Sequence, residues 1–206
     1  MKVLAVLRGV DRVLTQQAAT RIPTTVGKVL SVVEEAAEST KLWCGAALVM
    51  TAVGGSRGRA AAALGVTAMS LAQLVSNGLG KQLTNRPRPP KQWFPHEEVE
   101  DRPDSSSFPS GHTAAAVAFT AAVAPVWPAA GAVCALPAAM VALERVQSGA
   151  HYPSDVAAGA VIGLTGAELV RRAARRVLRW RSRVAGHPGS RAVLTACGAV
   201  MRPGSK

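Results

Sequence analysis

Lys81-Gln-Leu-Thr-Asn-Arg-Pro-Arg88-Pro89, Pro109-Ser110-Gly111-His112 and Arg145-Val-Gln-Ser-Gly-Ala-His151-Tyr-Pro-Ser-Asp155 are three polar clusters set in that order between apolar segments. Their reading decides the fold, because each stands at the end of an apolar run, and antiparallel helices would bring all three to one end of a bundle. A phosphoryl group in transit spreads negative charge over three equatorial oxygens. A site that moves it without a metal needs several fixed cations and amide donors. Lys81, Arg88 and Arg145 supply candidate cations. Ser110 and Gly111 stand where the chain turns into an Ala-rich helical run, and the first turn of a helix offers unpaired N–H groups to an anion. His112 and His151 complete the set.

These residues resemble the signature of the type 2 phosphatidic acid phosphatase superfamily, which includes lipid phosphate phosphatases and vanadium haloperoxidases. That signature is Lys-x6-Arg-Pro, then Pro-Ser-Gly-His, then Ser-Arg-x5-His-x3-Asp, and it is met by Lys81, Arg88, Pro89, Pro109, Ser110, Gly111, His112, Arg145, His151 and Asp155. With each residue type near one in twenty, one fixed placement of ten identities arises by chance roughly once in 10¹³, and free gap lengths recover only a few decades. One position departs: Glu144 stands where the pattern has serine. A carboxylate beside Arg145 either pairs with the guanidinium and weakens its hold on phosphate or helps to orient it.

The resemblance implies a role for each matched position. His151 is the nucleophile and forms a phosphohistidine, while Asp155 holds its other ring nitrogen and stabilises the imidazolium. His112 protonates the leaving oxygen and then activates water. Lys81, Arg88, Ser110, Gly111 and Arg145 bind the phosphate. The resemblance implies neither a metal nor a cofactor.

Each block also has an ordinary structural reading. His151 and Asp155 are four apart, as in a helix-surface pair, and Pro153 with Asp155 is a plain helix start. Arg-Pro-Arg-Pro and Pro-Ser-Gly are common loop punctuation. The joint spacing outweighs these readings. His96 and His187 fall outside the blocks and read as solvated.

At 206 residues the chain has room for one domain with a proper core. Its formal charge of +12 makes nucleic acid and anionic lipid conceivable partners, but no motif or aromatic interleaving supports nucleic acid. Cys44, Cys134 and Cys197 are single and far apart, which fits small apolar packing rather than a metal motif or disulfide framework.

Residues 1–40 predict two amphipathic helices on the membrane or against the bundle. Leu4, Leu7, Val10 and Leu14 recur at helical spacing, as do Val26, Val29, Leu30 and Val33. Arg8, Asp11 and Arg12 interrupt the first apolar run before it reaches signal-peptide length. Apolar runs follow at Leu42–Val53 and Ala60–Gly80, and a third from 113 to 143 is divided by Pro125, Trp127, Pro128 and Gly131. The last runs from Val156 to Val170. Mean hydropathy is only +0.19, so run lengths alone leave a bilayer bundle and a buried soluble bundle both open. The resemblance favours the membrane.

With Arg57 and Arg59 in the cytoplasm, successive crossings deliver all three clusters to the outer face. Arg171, Arg172, Arg175, Arg176, Arg179, Arg181 and Arg183 then follow the last span on the inner side, as the positive-inside rule requires. The expected architecture is all-α, a membrane bundle of about five to six helices with its active site at one membrane face. It divides into N-terminal amphipathic helices at 1–40, a phosphatase domain at 41–170 and a basic, largely disordered cytoplasmic tail at 171–206. The loop from Pro90 to Ser107 reads as a solvated connection or a lid over the headgroup. The resemblance implies an integral membrane enzyme of the bacterial cell envelope. It would hydrolyse a lipid phosphomonoester or diphosphate, with phosphatidic acid, phosphatidylglycerol phosphate and polyprenyl phosphates or diphosphates as candidates. A vanadate-dependent haloperoxidase and an inactive lipid-phosphate binder are the alternatives.

Overall fold

The computed structural model of the chain describes residues 2–94 and 105–186; His96, His187, Cys197 and the acids from Glu97 to Asp101 lie outside them. Among the described residues there is no strand. Helix α1 is Lys2–Arg21, α2 Thr24–Ala37 and α3 Lys41–Val53. Helix α4 runs Gly55–Leu83 and passes through a π-helical stretch, Leu74–Gly80, before its last turn. Helices α5 (Gly111–Val123), α6 (Pro128–Gln147) and α7 (Pro153–Gly186) complete the order. The architecture is all-helical, as the sequence predicts.

Helix boundaries follow local chemistry. Pro23 separates α1 from α2, because its ring and missing N–H cannot continue a helix. Gly54 alone separates α3 from α4. The break expected over Gly54–Arg59 is therefore one residue long, and Arg57 and Arg59 lie inside the helix. Arg57 Nε donates to the Val126 carbonyl (2.7 Å), tying the α3–α4 corner to the α5–α6 turn. Pro128 starts α6, where its lost N–H costs nothing.

The core is built from small side chains. Ala61, Ala62, Ala68, Met69 and Ala72 of α4 face Ala114, Ala115, Ala116, Ala118, Phe119 and Ala122 of α5. Phe119 fills the space over Gly65, where a Cβ would stand 2.9 Å from its ring, and it meets Trp43 of α3 with centroids 5.3 Å apart. Helix α7 approaches α5 at Gly159 and Gly163. A Cβ at Gly163 would stand 2.6 Å from the Ala114 carbonyl oxygen, and one at Gly159 would strike the Ser110 carbonyl. Close backbone approach over small residues is the usual packing of helices that cannot rely on large apolar interlocks.

Apart from a few such as Trp43, Phe119, Val123 and Val141, which are buried, many large apolar side chains point outward. Leu48, Val49, Val53, Leu74, Leu79, Leu83, Val133, Leu136, Val161 and Leu164 are all exposed. Two helices, Gly55–Leu83 and Pro128–Gln147, are long and apolar enough to cross a membrane. On α1, Val6, Leu7, Val10, Val13 and Leu14 are exposed while Asp11 is buried, and on α2 Val26, Val29 and Val32 are exposed. Helix α1 thus turns Asp11 and Thr15 inward beside Ala19, while α2 buries Leu30 and Ala37 and leaves several valines exposed.

The chain divides into two compact units, Met1–Val170 and Arg171–Lys206. In the second, Arg171–Gly186 is helical, whereas the sequence reading set the start of a largely disordered tail at 171. Alanine, leucine and arginine are strong helix formers, and they dominate this stretch. Residues 187–206 lie outside the described residues.

Candidate active site

The three clusters meet at one end of the first unit. Lys81 lies in the last turn of α4, His112 in the first turn of α5, Arg145 in the last turn of α6, and His151 and Asp155 at the start of α7. Two loops bring them together. Ser107 N–H donates to the Arg86 carbonyl (3.0 Å), and Thr84 Oγ1 donates to the Phe108 carbonyl (2.8 Å), so 84–89 and 105–109 run side by side. Ser110 N–H donates to the Asp155 carbonyl (3.1 Å), fastening the start of α5 to the start of α7.

Ser110 is fully buried and caps α5, its Oγ accepting from the Thr113 N–H (3.4 Å). Gly111 lies against Asn77 of the π-helical stretch, so closely that a side chain there would strike the Asn77 amide. The widened turn of α4 and the bare Gly111 therefore fit one another.

His151 is 3% exposed. Its Nδ1 lies 2.5 Å from the Ser107 carbonyl oxygen, which can only accept, so Nδ1 carries a proton and Nε2 carries the lone pair. Burial, with Arg88, Arg145 and Lys81 close by, pushes its pKa well below the ordinary histidine value, against the raising effect of the Ser107 carbonyl. Burial and these cations favour the neutral ring, with the lone pair on Nε2. Asp155 Oδ2 is 3.9 Å from Nδ1. The nearer partners of that carboxylate are the Tyr152 N–H on Oδ2 (2.9 Å) and Arg86 Nη1 on Oδ1 (2.5 Å).

The predicted cations are each held by a specific acceptor. Arg88 Nη1 donates to the Ala150 carbonyl (2.7 Å), and both Arg88 Nη2 (3.3 Å) and Lys81 Nζ (3.4 Å) reach Ser105 Oγ. Arg145 Nε donates to Glu144 Oε2 (2.5 Å), and Arg145 Nη2 to Glu34 Oε1 (2.7 Å). His112 Nε2 lies 3.7 Å from the same Glu34 oxygen. Burial holds the Glu34 carboxyl above its ordinary range despite Arg145, with Glu144 adding to the upward push.

Several residues here escape motif reading. Asp11 of α1 accepts from Arg86 Nη2 (2.7 Å), Ser154 Oγ (2.7 Å) and Ser154 N–H (2.9 Å). Arg86 also lies 4.3 Å over the Tyr152 ring. Ser107 gives a backbone carbonyl, which leaves no mark in sequence. The signal for Asp11 was its position, an acid inside an apolar helix repeat. Arg86 was legible as the first member of the Arg-Pro-Arg-Pro pair. Among the described residues no group of three His, Cys, Asp or Glu side chains has the spacing to hold a metal ion.

The sequence pattern of the PAP2 superfamily matches residues 60–179, which hold all three clusters. The chain belongs to that superfamily. Lipid A 1-phosphatases of Rhizobium etli and Rhizobium johnstonii are each 46% identical to it over 57 residues, or 28% of this chain. The match spans about a quarter of the length of these relatives (25% and 23%). A transmembrane PAP2 type phosphatidylglycerolphosphate phosphatase from Bacillus subtilis shares the fold at a TM-score of 0.61 and 19% identity, over 84% of this chain and 88% of that one. Aquifex aeolicus LpxE does so at 0.60 and 22%, over 77% and 93%. The PAP2 fold thus extends well beyond the matched motifs.

Proposed function

We propose that this chain is an integral membrane phosphatase that removes phosphate from a lipid phosphomonoester or diphosphate through a phosphohistidine at His151. The observation that carries the proposal is the buried His151, with its lone pair on Nε2 and Arg88, Arg145 and Lys81 near it. The same three cations face His112. Outward-facing leucines and valines around the helices support a lipid surround, in which a phosphate at the bundle's end meets the cations while its acyl or prenyl tail stays in lipid.

The chemistry follows from the geometry. Nε2 of His151 attacks phosphorus, forming the P–N bond as the bond to the leaving oxygen breaks. His112, protonated once the phosphate dianion offsets the three cations facing it, gives its proton to that oxygen. The new imidazolium keeps its Nδ1 proton on the Ser107 carbonyl, with the Asp155 carboxylate 3.9 Å away. Water then attacks phosphorus while His112 takes its proton, and breaking the P–N bond restores neutral His151. Lys81, Arg88 and Arg145, with the first-turn N–H groups at Gly111, meet the charge on the equatorial oxygens. No step calls for a metal.

The substrate class rests on the relatives, since a lipid A 1-phosphatase and a phosphatidylglycerolphosphate phosphatase are both named for lipid phosphates. The outer face is supported by the arginines from Arg171 to Arg183, which follow the last apolar segment as cytoplasmic flanks do. The test is phosphate release by the detergent-purified chain, with EDTA present, across a panel of lipid monophosphates and diphosphates. Release is expected to survive EDTA, to vanish in His151→Ala, and to fall about 10²- to 10⁴-fold in kcat in His112→Ala. Release that persists in His151→Ala would refute the phosphohistidine.

A further inference from the structure

Arg145 has two donor edges committed to carboxylates. Nε is taken by Glu144 and Nη2 by Glu34, and the same Glu34 oxygen lies 3.7 Å from His112 Nε2. An oxygen shared by a phosphate-binding arginine and a general acid occupies the place that a phosphoryl oxygen or leaving oxygen needs. Glu34 does not belong to the bundle that carries the three clusters. It comes from α2, which is seated on α6 at Gly27, where a Cβ would stand 2.8 Å from Gln147 Nε2.

We propose that Glu34 is a built-in substrate mimic, whose carboxylate holds the phosphate seat on Arg145 and His112 until a phosphate displaces it. The proposal rests on the reading of this site as a phosphate site and adds its regulation. The two carboxylates on Arg145 are not equivalent. Glu144 is buried and adjoins Arg145 in the chain, so leaving would strand a buried charge. Glu34 retains 17% side-chain exposure on a flexible side chain, so a change of rotamer frees Arg145 without moving α2. The groups facing Glu34 are Arg145, His112, Glu144, Glu38 and Glu35. Once Arg145 turns to phosphate, the buried Glu144 repels Glu34 and favours its withdrawal. A weakly charged or poorly placed anion cannot displace it, so the device raises the threshold for occupancy and favours dianionic phosphates.

The experiment measures binding of inorganic phosphate to the full chain in detergent by isothermal titration calorimetry, for wild type, Glu34→Ala, Glu34→Gln and Glu35→Ala. Glu35 is an exposed neighbour on the same helix and controls for lost negative charge. Phosphate is expected to bind about tenfold tighter to Glu34→Ala and several-fold tighter to Glu34→Gln, with Glu35→Ala within about twofold of wild type. Binding to Glu34→Ala alone, with none measurable in wild type, supports the proposal equally. Equal or weaker binding in both Glu34 variants, with wild type binding well, overturns the mimic and leaves the phosphate site standing. No binding to any of the four overturns both. Glu34→Gln keeps volume and one hydrogen bond, so a folding defect in Glu34→Ala does not decide the matter.

Discussion

At the scale of single residues, the site turns on which groups hold one geometry and which let go. Glu144, the one departure from the family signature, is buried and fixes Arg145 Nε at 2.5 Å. We propose that it aims the guanidinium rather than competing for phosphate. Glu144→Ser is expected to weaken phosphate binding about tenfold, opposite in sign to Glu34→Ala, and the same calorimetry reads it. A gain in affinity would show instead that Glu144 blocks the site. His151 gives a pH prediction. Its folded pKa is depressed by burial and by Arg88 and Arg145, so the unfolded chain binds the proton more readily. Stability from this group is full above the ordinary value of about 6.5 and is lost as pH falls below it. The thermal midpoint of wild type is expected to drop more steeply between about pH 6.5 and 5 than that of His151→Gln. Parallel curves would mean that His151 is not held neutral by the fold.

At the scale of elements, the sequence was most legible where one helix end carries one motif, and least where elements meet. The α5 start was readable from Pro109-Ser110-Gly111, since serine before a small-residue run is a helix cap. The α7 start was readable from Pro153 and Asp155. What α1 and α2 do was not readable, because Asp11 and Glu34 act on partners far along the chain, and helical periodicity carries no partner information. Asp11 accepts three hydrogen bonds that join α1 to Arg86 and Ser154, and through Arg86 to Asp155. Asp11→Ala is expected to destabilise the protein by about 2 kcal/mol or more, read as a lower thermal midpoint, and to reduce kcat more than it changes KM. Loss of stability with kcat intact would reduce Asp11 to a fastener. The α5–α7 contact is tested separately. A methyl at Gly159 would press on the Ser110 carbonyl. Gly159→Ala is expected to cost about 1–3 kcal/mol and to separate His151 from His112, lowering kcat while phosphate affinity changes little.

At the scale of the whole molecule, an all-helical bundle with polar chemistry at one end and leucines and valines outside has an orientation as well as a fold. Composition concealed this, because 24 lysines and arginines and 12 acids hold the whole-chain mean hydropathy to +0.19 although many leucines and valines face outward. The family signature revealed the fold where hydropathy alone did not. Orientation rests on charge. His151 stands before the last apolar segment, whereas seven arginines between Arg171 and Arg183 follow it. Moving a cluster of that density across a bilayer is strongly disfavoured, so we propose that the arginine flank is cytoplasmic and that the site opens on the opposite face. Single-cysteine labelling checks this in a background where Cys44, Cys134 and Cys197 are replaced by serine. Ser105→Cys, exposed beside Lys81 and Arg88, is expected to react with a membrane-impermeant maleimide in intact cells. Arg183→Cys, exposed in the second unit, is expected to react only after permeabilisation. The reverse pattern would place phosphate release in the cytoplasm, and the arginines would then need a role in binding anionic headgroups on the outer surface, for which roughly 1 kcal/mol per basic residue is available.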